Sequence, residues 1–183
     1  MVSAPVTGVR RATLADVAEV ARLSFQADRE SRLQASAPTE PDGLSAPEIA
    51  LRLLDDLEDG AVLYVAGRDG RIAGFAEVTG LMVGDGGHLV ELRRLYVIPD
   101  ERRHGLGRRL HRFLLHELGQ RGNVPALRAW APAGSPAAAF LETMGGAAVR
   151  QRWKVGSGDM AMRGIVFGWS ARPTASVRGH ALA

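Results

Sequence analysis

The sequence predicts a single α/β domain in which a mixed, mostly antiparallel sheet of about seven strands is flanked by about four helices. Seven short runs rich in β-branched and apolar residues alternate with four segments of helical apolar spacing. An Asp-Gly pair, Asp69-Gly70, joins two of these runs as a hairpin. The length of 183 residues, with 46% hydrophobic residues, suits one core and argues against a second full domain.

The composition excludes several kinds of site. The chain has no cysteine, so disulfide scaffolds, cysteine-zinc sites and thiol nucleophiles are excluded. No segment approaches the roughly 20 continuous apolar residues of a membrane span, and residues 1–12 lack the apolar run of a signal peptide. We therefore expect a soluble, cytoplasmic protein with no membrane partner.

Arginine dominates the positive charge. The chain has 23 basic and 20 acidic residues, a net charge of +3, and Lys154 is the only lysine. Such a mild excess says little about partners unless the arginines cluster. Seven of them do, between Arg93 and Arg112, so an anionic ligand at this segment is a hypothesis worth testing.

The N-terminal segment is predicted to form a strand and then a helix. The strand covers Gly8 to Ala12, after a flexible segment of residues 1–7. Thr13 can cap the helix, with Asp16 in its first turn. The apolar residues of this helix recur at helical spacing: Leu14, Val17, Ala18, Ala21 and Phe25.

A second helix is predicted after a loop from Gln34 to Leu44. Ser45 and Glu48 form a capping-box pattern at its start, and Gly60 ends it. Its apolar residues fall on one face: Ile49, Leu53 and Leu57. Two strands, Ala61 to Gly67 and Ile72 to Thr79, then form the Asp-Gly hairpin.

In the third long strand the apolar residues do not alternate regularly. It runs from His88 to Ile98 and stops at a proline. Leu92 lies at an even position, whereas Leu95 and Val97 lie at odd ones, so a regular strand would expose one set to water. A β-bulge near Arg93 and Arg94 would bring both sets to the same face.

The remaining elements are two helices and three strands. One amphipathic helix ends near Gly119 to Gly122, a strand follows at Val124 to Ala131, and Ser135 caps a short helix at Pro136 to Met144. A final hairpin pairs Ala147 to Val155 with Met160 to Trp169. The single domain thus spans residues 8–170, and we expect residues 171–183 to be disordered.

One segment between a strand and a helix is the candidate ligand-binding loop. It reads Arg102-Arg103-His104-Gly105-Leu106-Gly107. Glycines there let backbone N–H groups approach an anion, and the helix dipole adds partial positive charge, so phosphate fits. A dinucleotide fingerprint would need glycine at Leu110, and a P-loop would need Gly-Lys-Ser/Thr, so both are excluded. The residues alone also allow a tight turn with solvated arginines.

The sequence resembles the GNAT superfamily of acyl-CoA-dependent N-acyltransferases. The main motif of that family reads Gln/Arg-x-x-Gly-x-Gly/Ala, which Arg102, Gly105 and Gly107 match, and Leu95 to Pro99 looks like the bulged strand before it. The order of elements from Gly8 to Trp169 also matches. The resemblance implies a sheet splayed beside the bulge and transfer of an acetyl group from acetyl-CoA to a primary amine by direct attack.

The resemblance also implies roles for individual residues. Backbone groups of the strand would hold the pantetheine arm, and the loop from Arg103 to Arg108 would cradle the pyrophosphate. The implied cofactor-binding residues are Leu95, Tyr96, Val97, Arg102, Arg103, His104, Gly105, Leu106, Gly107 and Arg108. Glu91 is the candidate catalytic base, because it lies eleven residues before Arg102, where family members often carry a glutamate. A salt bridge to Arg93 or Arg94 is the alternative for Glu91.

The sequence departs from the family pattern at the group that protonates the leaving thiolate. Leu141 stands where members often have a tyrosine, and Gly134 where they have an asparagine. Tyr96, Ser135, His88 or solvent would have to substitute, or the protein binds acyl-CoA without efficient turnover. We expect both tyrosines of the chain to pack on strands, and the three tryptophans to be core or hairpin residues.

Other functions stay open at this point. One alternative is a catalytically weak acyl-CoA-binding or regulatory module. Another is a nucleic-acid-binding protein that uses the arginine cluster, although no aromatic residues interleave with those arginines. His111 and His116 are five apart on a helix and fall on different faces, so we expect no metal. The acceptor, a small-molecule or peptide amine, and a homodimer are not specified by any motif.

Overall fold

The computed structural model describes residues 8–34, 43–68, 70–83, 87–120, 126–155 and 161–169. The terminal segments 1–7 and 171–183, and most of the predicted loop from Gln34 to Leu44, lie outside the described residues. The helices are α1 (Val17–Gln34), α2 (Ala46–Glu58), α3 (Leu106–Gly119) and α4 (Pro136–Thr143). The strands are β1 (Gly8–Arg11), β2 (Val62–Arg68), β3 (Arg71–Val83), β4 (Gly87–Val97), β5 (Ala126–Pro132), β6 (Ala147–Val155) and β7 (Ala161–Trp169).

The strands form one seven-stranded sheet in the order β1-β2-β3-β4-β5-β7-β6. All neighbouring strands are antiparallel except β4 and β5, which are parallel. Helices α1 and α2 pack on one face with β2 and β3, and α3 and α4 pack on the other. The mixed, mostly antiparallel sheet with four flanking helices confirms the predicted fold class.

The predicted helix starts are also confirmed. Asp16 is fully buried and accepts hydrogen bonds from the Thr13 N–H (2.7 Å) and hydroxyl (2.9 Å). Both guanidinium ends of Arg10 donate to the same carboxylate at 2.7 and 2.9 Å. Glu48 accepts from the Ser45 N–H (2.8 Å) and hydroxyl (2.6 Å). These local pairs satisfy N–H groups that the first helical turns leave without partners.

The apolar face predicted for the first helix is partly wrong. Val17 and Ala21 are buried, but Leu14 is 65% exposed and Ala18 is exposed. Leu14 belongs to a 3₁₀ turn, Leu14–Asp16, that precedes α1. Because a 3₁₀ turn has 3.0 residues per turn rather than 3.6, it shifts the phase of the residues before the helix. Val20, Leu23 and Ser24 take the buried positions instead.

The predicted bulge is present in β4. Glu77 of β3 pairs with Arg94, whereas Val78 pairs with Leu92, so Arg93 is the extra residue. The bulge brings Leu92 and Val97 to the same face, where both are buried in the core under α3. Burial of these two apolar side chains, one before and one after the bulge, therefore stabilises the bulge.

The sheet is splayed between β4 and β5. These strands pair only from Leu89 to Leu92 on β4 and from Ala126 to Ala129 on β5. Beyond that point β4 continues to Val97 and β5 to Pro132 without pairing with each other. We call this unpaired region the gap; it begins at the bulge.

Candidate functional site

The gap exposes backbone groups of β4 that a neighbouring strand would otherwise use. The Ile98 N–H donates to the Ala73 carbonyl of β3 (2.9 Å). Because backbone groups alternate in direction along a strand of an antiparallel ladder, those of Leu95 and Val97 point away from β3, toward the gap. Those of Tyr96 point to β3. The Val97 carbonyl accepts the Arg102 Nε–H (2.8 Å), which leaves the Leu95 groups and the Val97 N–H facing the gap.

The loop after β4 leads to the N-terminus of α3. Arg103 has a φ of +65° and Gly105 a φ of +81° with the left-handed conformation at the helix cap. A left-handed residue other than glycine costs roughly 1–2 kcal/mol, so the loop needs support from its surroundings. The first α3 donor with an intrahelical acceptor is the Arg109 N–H, which bonds to the Gly105 carbonyl (3.0 Å). The N–H groups before it are available to an anion.

The arginine cluster divides into two groups. Arg93 forms ion pairs with Asp56 (3.0 Å) and Glu77 (3.1 Å), Arg94 pairs with Glu77 (3.6 Å), and Arg102 pairs with Glu30. The other four are exposed and form no ion pair with any described residue: Arg103, Arg108, Arg109 and Arg112. Uncompensated positive charge therefore lies at the loop and the first turns of α3, beside the available N–H groups.

Glu91 lies where the gap opens. It is half-buried on β4, opposite Thr79 of β3 and Arg128 of β5, two residues before the bulge residue Arg93. In the described part of the chain Arg93 and Arg94 pair with Glu77 and not with Glu91. The salt bridge considered as the alternative for Glu91 is therefore not formed.

Glu77 is a site residue that sequence reasoning missed. It is 1% exposed on β3, and neither carboxylate oxygen makes a hydrogen bond within the described residues. Burial raises its pKa, although the charges of Arg94 and Arg93 oppose that rise. The signal was a single carboxylate in an apolar strand, Phe75-Ala76-Glu77-Val78, whose partners could be recognised only once the strand register was known.

The candidates for the acid that protonates the thiolate have other partners. Leu141 is buried in the core under α3 and α4. The Tyr96 hydroxyl donates to Glu30 (2.7 Å), and burial and that bond raise its pKa. Ser135 caps α4, since its hydroxyl oxygen accepts the Ala138 N–H (3.1 Å). The side chain of His88 lies outside the described residues. Tyr64, the other tyrosine, is buried as predicted and packs edge-on against Phe113.

A groove of about 390 Å³ lies along α1. Its lining residues are Arg22, Phe25, Gln26, Arg29 and Glu30. The Arg29 guanidinium lies 6.0 Å from the centre of the Phe25 ring. Glu30 lines this groove and also pairs with Arg102, so the groove and the loop after β4 share one carboxylate.

The two histidines of α3 do not share a face. His111 is 1% exposed and lies against the rings of Trp169 (4.8 Å between centres) and Phe140 (6.4 Å), whereas His116 is exposed. Burial lowers the His111 pKa to about 4. Within the described ranges, no three His, Asp or Glu side chains cluster as metal ligands would, and none of the described helices is long and apolar enough to span a membrane.

Several solved structures share this architecture. The ribosomal-protein-alanine N-acetyltransferase of Brucella melitensis is 23% identical, with a TM-score of 0.70 over 88% of this chain and 98% of that one. The ribosomal-protein-S18-alanine N-acetyltransferase of Escherichia coli is 20% identical, with a TM-score of 0.65 over 94% and 98%. A candidate acetyltransferase of Salmonella typhimurium, solved with its cofactor acetyl-CoA, is 20% identical, with a TM-score of 0.68 over 92% and 95%. At these identities the likeness shows the fold.

The family is shown by the sequence. No curated protein matches the chain. The model of the acetyltransferase (GNAT) family matches residues 25–146. That range is two thirds of the chain and contains the bulged strand, the loop after it and α3. The chain therefore belongs to the GNAT family of acetyltransferases.

Proposed function

We propose that this protein transfers an acetyl group from acetyl-CoA to an amine by direct attack of the amine on the thioester. One observation carries the proposal: the unpaired edge of β4 runs into the cationic N-terminus of α3. An extended arm with amide groups fits the Leu95 and Val97 backbone at the gap as a neighbouring strand would. A pyrophosphate at the end of that arm fits the N–H groups from Arg103 to Arg108.

When bound, acetyl-CoA supplies an activated acetyl thioester and a thiolate leaving group. Glu91 accepts the proton of the acceptor ammonium, directly or through one water, so that the amine nitrogen can attack the carbonyl carbon. Its position beside the opening of the gap supports this role. Attack would form the C–N bond and break the C–S bond of the thioester. Since Leu141 has no acidic proton, the second proton that the nitrogen loses would reach the leaving thiolate through solvent, or through the Ser135 hydroxyl acting as a relay that regains its proton from the nitrogen.

Calorimetric titration of acetyl-CoA into the purified chain tests cofactor binding. We expect saturable binding that is lost in Gly105→Glu, because the substitution places a carboxylate at the anion site and strains a left-handed residue. Gly119→Glu, at the far end of the same helix where a side chain meets open space, should bind as the unaltered protein does. NAD controls for general phosphate affinity. Failure of the unaltered protein to bind acetyl-CoA would end the transferase proposal.

The role of Glu91 is tested by the pH dependence of the acetyl-transfer rate. We expect Glu91→Gln to remove the acidic limb of the profile and to lower kcat on the order of 100-fold. Glu142→Gln, an exposed carboxylate on α4, should leave the profile unchanged. A Glu91→Gln profile identical to the unaltered one would remove Glu91 from the role of base.

A second candidate function is an acyl-CoA-binding module without efficient turnover, which the buried Leu141 favours. Transfer across a panel of amines separates the two functions, and the panel should include a peptide with a free N-terminal alanine, because two structural neighbours are named ribosomal-protein-alanine N-acetyltransferases. A nucleic-acid-binding role is less well supported, since Arg93, Arg94 and Arg102 are occupied by ion pairs. The acceptor, a dimer and a cytoplasmic location stay predictions.

A further inference from the structure

Three side chains from three different elements meet at one end of the gap. Glu30 of α1 accepts the Tyr96 hydroxyl of β4 at 2.7 Å and, through its other oxygen, pairs with Arg102 of the loop. The Arg102 guanidinium also lies 5.4 Å from the centre of the Tyr96 ring and donates to the Val97 carbonyl at 2.8 Å. Gln26 adds a longer hydrogen bond to Glu30 at 3.3 Å.

These contacts occupy three parts of the Arg102 guanidinium. Its Nε–H is taken by Val97, one terminal nitrogen by Glu30, and one face by the Tyr96 ring. Its side chain therefore points back toward β4 and α1, and not toward the N–H groups that begin α3. Arg102 therefore fixes the position of the first residues of the loop through these contacts.

The loop needs such an anchor. Arg102 itself is extended, with a φ of −69° and a ψ of 155°, but the next residue, Arg103, has a left-handed φ although it is not glycine. The far end of the loop is held by Leu106, which is buried under α3. With both ends held, the N–H groups between them keep one arrangement before any anion binds, and affinity gains from that prior order.

The carboxylate of Glu30 stays ionised at neutral pH. Burial acts to raise its pKa, but the hydrogen bonds from Tyr96 and Arg102 outweigh burial and lower it. Since Glu30 and Arg102 are both partly exposed, their ion pair contributes little to global stability. The ion pair instead orders the loop that begins at Arg102.

We infer that Glu30 is a positioning residue that holds the phosphate-binding loop in its binding conformation through Arg102 and Tyr96. The inference rests on the proposed function, because it assumes that the loop binds the pyrophosphate of acetyl-CoA. It places a residue of α1, outside the motif, in control of cofactor affinity. Glu30 acts through Arg102 and does not touch the cofactor.

Calorimetric titration with acetyl-CoA tests the inference. We expect Glu30→Gln to raise Kd about tenfold, because the amide keeps the bond to Tyr96 but loses the ion pair. Arg102→Gln should raise Kd similarly, and the double variant should be no weaker than either single one, since both act through one contact. The matched control is Glu19→Gln, which removes a carboxylate of the same helix whose ion pair, among the described residues, is with Arg22.

Two further measurements separate loop order from a general loss of structure. S-acetylpantetheine lacks the pyrophosphate, so its Kd should be the same for Glu30→Gln and the unaltered protein. Without any ligand, the backbone ¹⁵N order parameters of residues 103 to 108 should fall in Glu30→Gln, while those of β2 and of α3 beyond its first turn stay unchanged. A single variant set thus reports on the loop with and without ligand.

The failures can be told apart. No binding of acetyl-CoA by the unaltered protein would overturn the proposed function and this inference with it. Normal binding by the unaltered protein, with Glu30→Gln indistinguishable from Glu19→Gln, would overturn the inference alone. Equal weakening of acetyl-CoA and S-acetylpantetheine would also overturn it, because Glu30 would then act on the strand rather than on the loop.

Discussion

The two faces of the sheet are built differently. Under α3 and α4 the core is apolar, with Leu110, Leu114 and Phe167 fully buried and His111 as the polar side chain among them. On the α1 and α2 face an apolar core is joined by charged pairs, which reach the bulge through Glu77 and the loop through Glu30. We therefore expect the α3 and α4 face, which holds the larger buried apolar cluster, to supply more of the folding free energy, and the charged pairs of the other face to hold the bulge and the loop in place.

The largest expected effect is on the apolar face. Leu114→Ala should lower the free energy of unfolding by about 2–5 kcal/mol, because Leu114 is fully buried and the truncation leaves a cavity. Urea denaturation measures the loss. Leu14→Ala, at a position that is 65% exposed, should change stability by less than about 0.5 kcal/mol. Acetyl-CoA affinity of folded Leu114→Ala should be nearly normal; a large loss would contradict the division between the faces.

The buried His111, the polar side chain in the core under α3 and α4, predicts that the folded protein loses stability in acid. The pKa of His111 is about 4 in the folded protein against an ordinary value of 6.5, so the unfolded chain takes up the proton first as pH falls. The stability that His111 contributes is complete above pH 6.5 and is lost toward pH 4, by about 3 kcal/mol.

Denaturation of the unaltered protein and of His111→Leu at pH 7 and pH 4 measures this loss. The stability of the unaltered protein relative to His111→Leu should fall across that interval. His116→Leu, at the exposed histidine of the same helix, provides the comparison. A constant difference between the unaltered protein and His111→Leu would mean that His111 is not held neutral by burial.

The cap of α4 should have a smaller effect. Ser135→Ala removes the acceptor of the Ala138 N–H and should cost about 1 kcal/mol of stability. If Ser135 only caps the helix, kcat should be unchanged once the variant is folded. A drop in kcat of tenfold or more, with normal acetyl-CoA binding, would assign the thiolate proton to this hydroxyl.

The smallest stability effect is expected at the buried carboxylate of the charged face. Because burial raises the pKa of Glu77, its ionised form costs stability as pH rises past the ordinary glutamate value. Arg93 and Arg94 are about 30% exposed and Arg93 keeps its pair with Asp56, so Glu77→Gln leaves no buried charge unpaired and should change stability at pH 7 by only about 1 kcal/mol or less. Since Arg93 and Arg94 lose their shared partner, the bulge should be less well defined, and Kd for acetyl-CoA should rise about threefold.

Calorimetry and urea denaturation on Glu77→Gln measure both quantities. Glu101→Gln, which removes the exposed ion pair with Arg68, is the matched control and should change neither. A stability loss above about 3 kcal/mol with unchanged affinity would show that Glu77 serves the core and not the bulge.

Much of the fold could be predicted because its signals are local. The Asp-Gly pair, the caps at Thr13 and Ser45, and the broken apolar phase around Arg93 each depend on neighbours a few residues away. The apolar face of α1 was predicted less well, since the 3₁₀ turn at Leu14 changes the phase. The loop after β4 was recognisable because a helix N-terminus with glycine has the same chemistry in any context.

The sequence by itself determined the element order, the bulge and the glycine-containing loop at a helix N-terminus, because each follows from the spacing of residues close in the chain. Only the tertiary structure decided which arginines keep an unpaired charge and which carboxylates pair with the other arginines. Glu77 lies 16 residues from Arg93, and Glu30 lies 72 residues from Arg102. No local spacing encodes such pairs; they form only when the sheet register and the packing of α1 and α2 bring distant charges together.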